Sequence, residues 1–302
     1  MEKILSKNDL KGIMPAIVTP TDAKGKFKQG ETKNLLNHLI RAGVSGIVPM
    51  GGTGEFTNMP PKERVKFVEF VAKEVGGKLP VIPGILSPGF HESVEIGIDF
   101  KKAGADALML LTPFYVKPTQ EGIIKYFLSF MDKVKIPVVL YDIPYRTMTF
   151  TDPTTVRKIA EKNELLIGMK ACNPDLAHFV RLMMQAGDLI SILSGEEYLF
   201  IAHVLLGAKG GILATCNLFP NEWIKMYNFL QKRDTDSAKR ILFSLVPMID
   251  AAFSEINPGP LKAAMTLAGF NVGPVLSPLV APQSSTVERL LASMKALKKA
   301  SK

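Results

Sequence analysis

The sequence predicts an α/β protein, a closed (β/α)8 TIM barrel with a C-terminal helical extension. Three observations predict it. Short apolar runs alternate eight times with segments that carry apolar residues at helical spacing. No glycine-rich phosphate turn follows the first run, where Thr19-Pro20-Thr21-Asp22 stands instead. Beyond about residue 234 the helical spacing continues with no further strand-like run. Strict alternation with right-handed crossovers gives a parallel sheet. Eight such units fit the closed barrel. The competing architecture, an open doubly wound sheet, usually announces itself with the phosphate turn that is missing here. The expected organisation is therefore a barrel over residues 1–233 and a helical extension over residues 234–302, packed on the barrel.

Taken in order, residues 12–18 read as the first strand, stopped by Thr19-Pro20. A helix from about 31 to 42 puts Leu35, Leu36, Leu39 and Ile40 on one face, and Gly43 closes it. The second strand, 44–50, runs into Gly51-Gly52-Thr53-Gly54-Glu55, and a helix starts near Pro61. The pattern then returns as strand 79–83 with helix 92–103, strand 107–111 with helix 119–134, and strand 137–141 with helix 153–162. It ends with strand 165–170 and helix 175–186, strand 189–193 and helix 196–206, and strand 210–214 and helix 220–231. The runs are apolar throughout, as suits strands covered on both faces.

Composition narrows the function. The chain has 302 residues, 47% hydrophobic and 22% charged, which is ordinary globular composition. Its two cysteines, Cys172 and Cys216, lack metal-type spacing, so a reducing cytoplasm is expected and a disulfide framework is not. No run has the length of a signal-peptide core or a membrane helix, so no membrane partner is expected. The net charge of +9 is spread along the chain, with its densest group at Lys295, Lys298, Lys299 and Lys302, read as a solvated helix end. Aromatic and basic residues do not interleave, so no nucleic-acid partner is expected. A positive field suits anionic small substrates. His38, His91, His178 and His203 all fall in helices or helix starts, away from strand ends, so no metal is expected, and no other cofactor.

Barrel active sites lie at the C-terminal ends of the strands. Six segments fall there. They are Gly51-Gly52-Thr53-Gly54-Glu55, Thr112-Pro113-Phe114-Tyr115, Tyr141-Asp142-Ile143-Pro144-Tyr145-Arg146, Lys170, Ser194-Gly195-Glu196-Glu197 and Thr215-Cys216-Asn217. A lysine closing a buried strand is costly without a partner, and its structural reading is a lysine that emerges into solvent where the strand stops. Burial lowers a lysine's pKa, and a neutral amine attacks carbonyls to form a Schiff base. Tyr141 suits proton transfer, because a phenol both donates and accepts. Backbone N–H groups around Gly52 and Thr53 suit a carboxylate, and Arg146 suits a second one through its planar fork. Each also has a purely structural reading. Tyr115 and Tyr141 would cap the barrel core, Arg146 would pair with Asp142 or Glu121, and the glycine loop would be a tight turn. Cys172 reads as a packed thiol.

These segments together resemble the dihydrodipicolinate synthase/N-acetylneuraminate lyase superfamily of Schiff-base-forming aldolases. The motifs are Gly51-Gly52-Thr53-Gly54-Glu55, Thr112-Pro113-Phe114-Tyr115, Tyr141-Asp142-Ile143-Pro144, Gly168-Met169-Lys170 and the stretch from Gly210 to Asn217, with Asn257-Pro258-Gly259-Pro260 in the extension. The resemblance implies that Lys170 forms the imine with pyruvate or another 2-keto acid. It implies that Tyr141 relays the proton and that Thr53 with its neighbouring amides, Gly52 included, holds the keto acid's carboxylate. Tyr115 matches a tyrosine contributed across a dimer interface, and Gly195 and Ile212 match pocket-lining positions. A homo-oligomer is implied, a tetramer built as a dimer of dimers or a dimer. Arg146 matches the arginine that receives aspartate semialdehyde in the synthases. Gly52 replaces a hydroxyl residue of the synthases, as in relatives that cleave or dehydrate 2-keto-3-deoxy sugar acids. The resemblance thus leaves two enzyme activities open, and beside them a non-catalytic barrel that binds a small acid.

Overall fold

Apolar runs flanked by amphipathic helices leave one economical arrangement: a parallel sheet whose outer face is covered by helices. The structure, a computed structural model, describes residues 4–300, with side chains described as far as residue 297. Seven strands form one parallel sheet in the order β1-β7-β6-β5-β4-β3-β2. They are β1 (Gly12–Pro15), β2 (Gly84–Ile85), β3 (Leu108–Leu111), β4 (Val138–Asp142), β5 (Leu166–Ala171), β6 (Ser191–Ser194) and β7 (Gly210–Leu213). The order places the first strand beside the last, so the sheet curls round on itself.

Residues 44–50 are expected as a full strand and appear only as single bridges, Ala16 with Val48 and Ile47 with Val81. They still join the two sheet edges. Val48 N–H donates to Pro15 O and Ile17 N–H to Val48 O on one side. On the other, Ile47 N–H donates to Pro80 O and Ile82 N–H to Ile47 O. Prolines explain the broken ladder, because Pro49, Pro80 and Pro83 have no N–H to give. For the same reason the strand expected at 79–83 is displaced to β2.

The outer helices are α1 (Gln29–Ala42), α2 (Pro61–Val75), α3 (Phe90–Lys102), α4 (Gln120–Val134), α6 (Pro153–Lys162), α7 (Leu176–Ala186), α8 (Phe200–Leu205) and α9 (Pro220–Gln231). A short α5 (Pro144–Thr147), which the sequence does not suggest, follows β4 with proline in its first turn. The helix expected from residue 196 begins only at Phe200. Three helices follow: α10 (Thr235–Ala252), α11 (Gly259–Leu267) and α12 (Ser284–Ala300). Helix α10 packs on α9 and α12, and α11 on α12.

Side-chain parity divides the buried residues into two clusters. The larger fills the space between sheet and helices. The smaller lines the inside of the curled sheet and contains Leu10, Met14, Val48, Met109, Tyr141, Ile167, Cys172, Leu193 and Ile212. Among the described residues no helix is long and apolar enough to cross a membrane. Lys295 is exposed, whereas Lys298, Lys299 and Lys302 lie outside the residues whose side chains are described.

Candidate active site

Lys170 sits near the end of β5, where parity turns its side chain inward with Cys172, and it is only 7% exposed. Its register partners are Tyr141 on β4 and Leu193 on β6. Both belong to the inner cluster. The Lys170 Nζ lies 4.5 Å from the centre of the Tyr141 ring, so the lysine nitrogen is held against a π face. Burial drives the Tyr141 pKa well above 10, with Cys172 and Glu196 adding to the rise and Arg146 opposing it. Tyr141 is thus a neutral phenol, a donor, at physiological pH.

Gly195 is adjacent. A Cβ there would collide with Cys172 Sγ and come within 3.0 Å of Lys170 Cε, so only glycine leaves the lysine its place. Cys172 is buried and its thiol is pushed up to about 12, chiefly by desolvation, which leaves it an unreactive packing group. Ile212 lies on β7 in the same inner cluster.

The loop Gly51-Gly52-Thr53-Gly54-Glu55 is a series of tight turns after residue 50. Gly54 N–H donates to Gly51 O and Glu55 N–H to Gly52 O, whereas the Gly52 and Thr53 N–H groups donate to nothing among the described residues. Gly54 has to be glycine, since a Cβ would stand 2.8 Å from Met50 N. Around Gly52 there is open space on the side where a Cβ would project. Glu55 pins the loop from below: its carboxylate pairs with Lys262 Nζ at 2.8 Å and accepts from Leu276 N–H, and both charged side chains are almost wholly buried. Thr53 Oγ1 accepts a hydrogen bond from Asn257 Nδ2 at 2.9 Å. Asn257, just ahead of α11, brings the C-terminal helices into contact with the loop. Its own Oδ1 is buried and unpartnered.

Tyr115 does not join the group. It is 93% exposed, with a left-handed φ of 72°. Arg146 is exposed on α5 and forms no salt bridge with Asp142 or Glu121 among the described residues. Asp142 instead accepts from the N–H and hydroxyl of Thr151, while its Oδ2 is buried without a partner. Burial raises its pKa to about 7, against the Thr151 hydrogen bonds.

Three groups stand in motifs already quoted, but their roles have little sign in the local sequence. Asn257 is distant in sequence from the loop it touches. Glu197 looks like a helix start, yet its buried carboxylate accepts from the N–H groups of Ala214 and Thr215 and from the Thr215 hydroxyl, tying the end of β6 to the end of β7. Glu196, directly after Gly195, has Lys170 and the Tyr145 hydroxyl among its surroundings. Its position at a strand end was the available signal for that.

Comparison with known proteins gives the chain's family. A family model described as the dihydrodipicolinate synthetase family matches residues 9–298. The chain belongs to that family. A 4-hydroxy-tetrahydrodipicolinate synthase of Methanocaldococcus jannaschii is 37% identical over 89% of this chain and 92% of its own length. Among solved structures, a dihydrodipicolinate synthase at 35% identity superposes with a TM-score of 0.92, covering 96% of this chain and 99% of the other. A chloride-inhibited dihydrodipicolinate synthase from Acinetobacter baumannii, complexed with pyruvate, is 27% identical with a TM-score of 0.91, covering 96% and 99%. The family is one of enzymes, and the resemblance read from the motifs holds.

Proposed function

We propose that this chain is a class I synthase that joins pyruvate to aspartate semialdehyde through an imine on Lys170. The supporting frame is a (β/α)8 barrel in which residues 44–50 act as the second strand, over residues 1–233, with residues 234–302 as its helical extension. The observation that carries the reading is the pairing of Lys170 with Tyr141 on the inner face of adjacent strands.

The chemistry follows from what each group offers. The Lys170 amine attacks the keto carbon of pyruvate. Tyr141, protonated and at the lysine's side, gives its proton to the carbonyl oxygen, takes one back from the Lys170 nitrogen, and passes that proton to the carbinol oxygen, which leaves as water and yields the iminium. The unused N–H groups of Gly52 and Thr53 receive the carboxylate of pyruvate, together with the Thr53 hydroxyl. Because Asn257 Nδ2 donates to Thr53 Oγ1, the hydroxyl proton must point elsewhere, and the carboxylate is the acceptor it meets. Gly195 and Ile212 shape the floor. Arg146, without a salt-bridge partner among the described residues, takes the carboxylate of the aldehyde. This chemistry asks for no cofactor.

Tyr115 enters from outside. Its exposure and that of Val116 support burial of this loop against a second copy, as in a dimer or a tetramer built from dimers. The paucity of cysteine supports a cytoplasmic setting.

Gly52 favours a second reading, cleavage or dehydration of a 2-keto-3-deoxy sugar acid, because the loop lacks a hydroxyl between Tyr141 and Tyr115. A non-catalytic acid-binding barrel is the third. The deciding experiment supplies pyruvate with aspartate semialdehyde, and separately a 2-keto-3-deoxy sugar acid. Condensation with the aldehyde is the expected result. Release of pyruvate from the sugar acid, without condensation, would replace the first reading by the second, and inertness in both assays would leave the third.

A further inference from the structure

Two opposite charges flank Lys170 without being joined to each other. Arg146 lies just past the end of β4 and Glu196 just past the end of β6, with Lys170 on β5 between them. Neither takes part in a salt bridge among the described residues. Yet both act on the same three groups, Tyr141, Tyr145 and Cys172, and always with opposite sign. The arginine and the glutamate follow the ends of the two strands that border β5 and its Lys170.

Glu196 is not held in a structural role. Its neighbour Glu197 has both carboxylate oxygens occupied by hydrogen bonds. Glu196 has the Tyr145 hydroxyl beside it, but its Oε1 is buried and takes no hydrogen bond among the described residues. Burial moves its carboxyl up to about 7, with the Tyr145 hydroxyl and then Lys170 pulling it back. A buried, unsatisfied carboxylate oxygen is destabilising, and a ligand that donates to it removes that cost. A desolvated carboxylate and a guanidinium at the ends of the strands on either side of Lys170 suit a ligand with its own separated charges.

We infer that Glu196 is a specificity-determining residue that receives the α-ammonium of the second substrate while Arg146 holds its α-carboxylate. The second substrate is then an α-amino acid carrying an aldehyde, not a simple keto acid or an aldehyde without the amine. An ammonium supplies both the charge and the N–H donors that Oε1 lacks. The inference rests on the proposed pyruvate imine and on condensation with an aldehyde, and it names the feature by which that aldehyde is recognised.

The test compares the unaltered protein with Glu196→Gln on two acceptors, aspartate semialdehyde and succinic semialdehyde, which differ by the amine alone. Borohydride trapping of pyruvate on Lys170 is run on both proteins as the control for an intact fold and imine. The expected result is unchanged trapping and a fall in kcat/KM of about 10- to 100-fold with aspartate semialdehyde, with little change for succinic semialdehyde. Equal losses on both acceptors, no loss on either, or loss of trapping in the variant would overturn the role of Glu196. If the unaltered protein traps pyruvate but consumes neither aldehyde, condensation itself fails and the inference falls with it, a pattern distinct from the other three.

Discussion

Asn257 Nδ2 donates to Thr53 Oγ1 across 2.9 Å, linking the segment before α11 to the glycine-rich loop 204 residues earlier. That bond fixes which way the Thr53 hydroxyl can point. Replacing Asn257 with Ala frees the hydroxyl to turn, and replacing it with Asp, an acceptor, draws the proton away from the site. The expected effect of either change is a rise of about 10-fold in the KM for pyruvate, as for one hydrogen bond to a charged group, with kcat nearly unchanged. Steady-state kinetics at saturating aldehyde measure it. A fall in kcat at constant KM would speak against positioning of the carboxylate.

Glycine is required at one wall of the site and optional at the other. Gly195→Ala puts a methyl against Cys172 Sγ and Lys170 Cε, and pyruvate trapping should drop by more than about 10-fold. Gly52→Thr enters open space, so stability should stay within about 0.5 kcal/mol and trapping should persist. Trapping yields and urea midpoints of the two variants provide the contrast. Equal tolerance of both substitutions would show that Gly195 does not confine the lysine.

The pair Glu55–Lys262 holds the loop on the helical extension out of contact with water. Removing one partner strands the other charge. Lys262→Met should cost about 3–5 kcal/mol of stability, while Glu55→Gln with Lys262→Met together should cost less than the sum. Denaturant unfolding of the double-mutant cycle measures the coupling, and additive losses would refute it.

Asp142 gives a pH dependence with a definite sign. Its carboxyl titrates at about 7 in the fold, against 3.8 for an unperturbed aspartate. The folded protein thus holds a proton through this window that the unfolded chain has already lost. Stability from this group is full below about pH 4 and declines as pH rises to about 7. Asp142→Asn, which cannot ionise, should gain on the unaltered protein by about 2–4 kcal/mol between pH 4 and pH 8. Urea midpoints at the two pH values check it, and a constant difference would mean that Asp142 does not titrate there.

The fold was legible where periodicity was strong. Leu35, Leu36 and Leu39, spaced along α1, are all buried as the helical pattern required, and Lys170 emerged at the end of an apolar run that is indeed a strand. It was illegible where proline intervened. Residues 44–50 and 79–83 look like strands by composition, but Pro49, Pro80 and Pro83 cannot donate, so the ladder there reduces to bridges. The late start of α8 was hidden because Glu196 and Glu197 resemble a helix's acidic first turn, while Glu197 spends its carboxylate on β7's end. Asn257 and Lys262 carry no local signal for their contacts with Thr53 and Glu55, because those contacts exist only once the extension folds back on the loop.

All of these roles depend on Lys170 being the residue that bonds to substrate. The direct measurement is reduction with borohydride in the presence of pyruvate, followed by peptide mass spectrometry. The account predicts a reduced pyruvyl adduct on the peptide containing Lys170, and none in the Lys170→Ala protein. An unmodified Lys170, or an adduct on a different lysine, would contradict it.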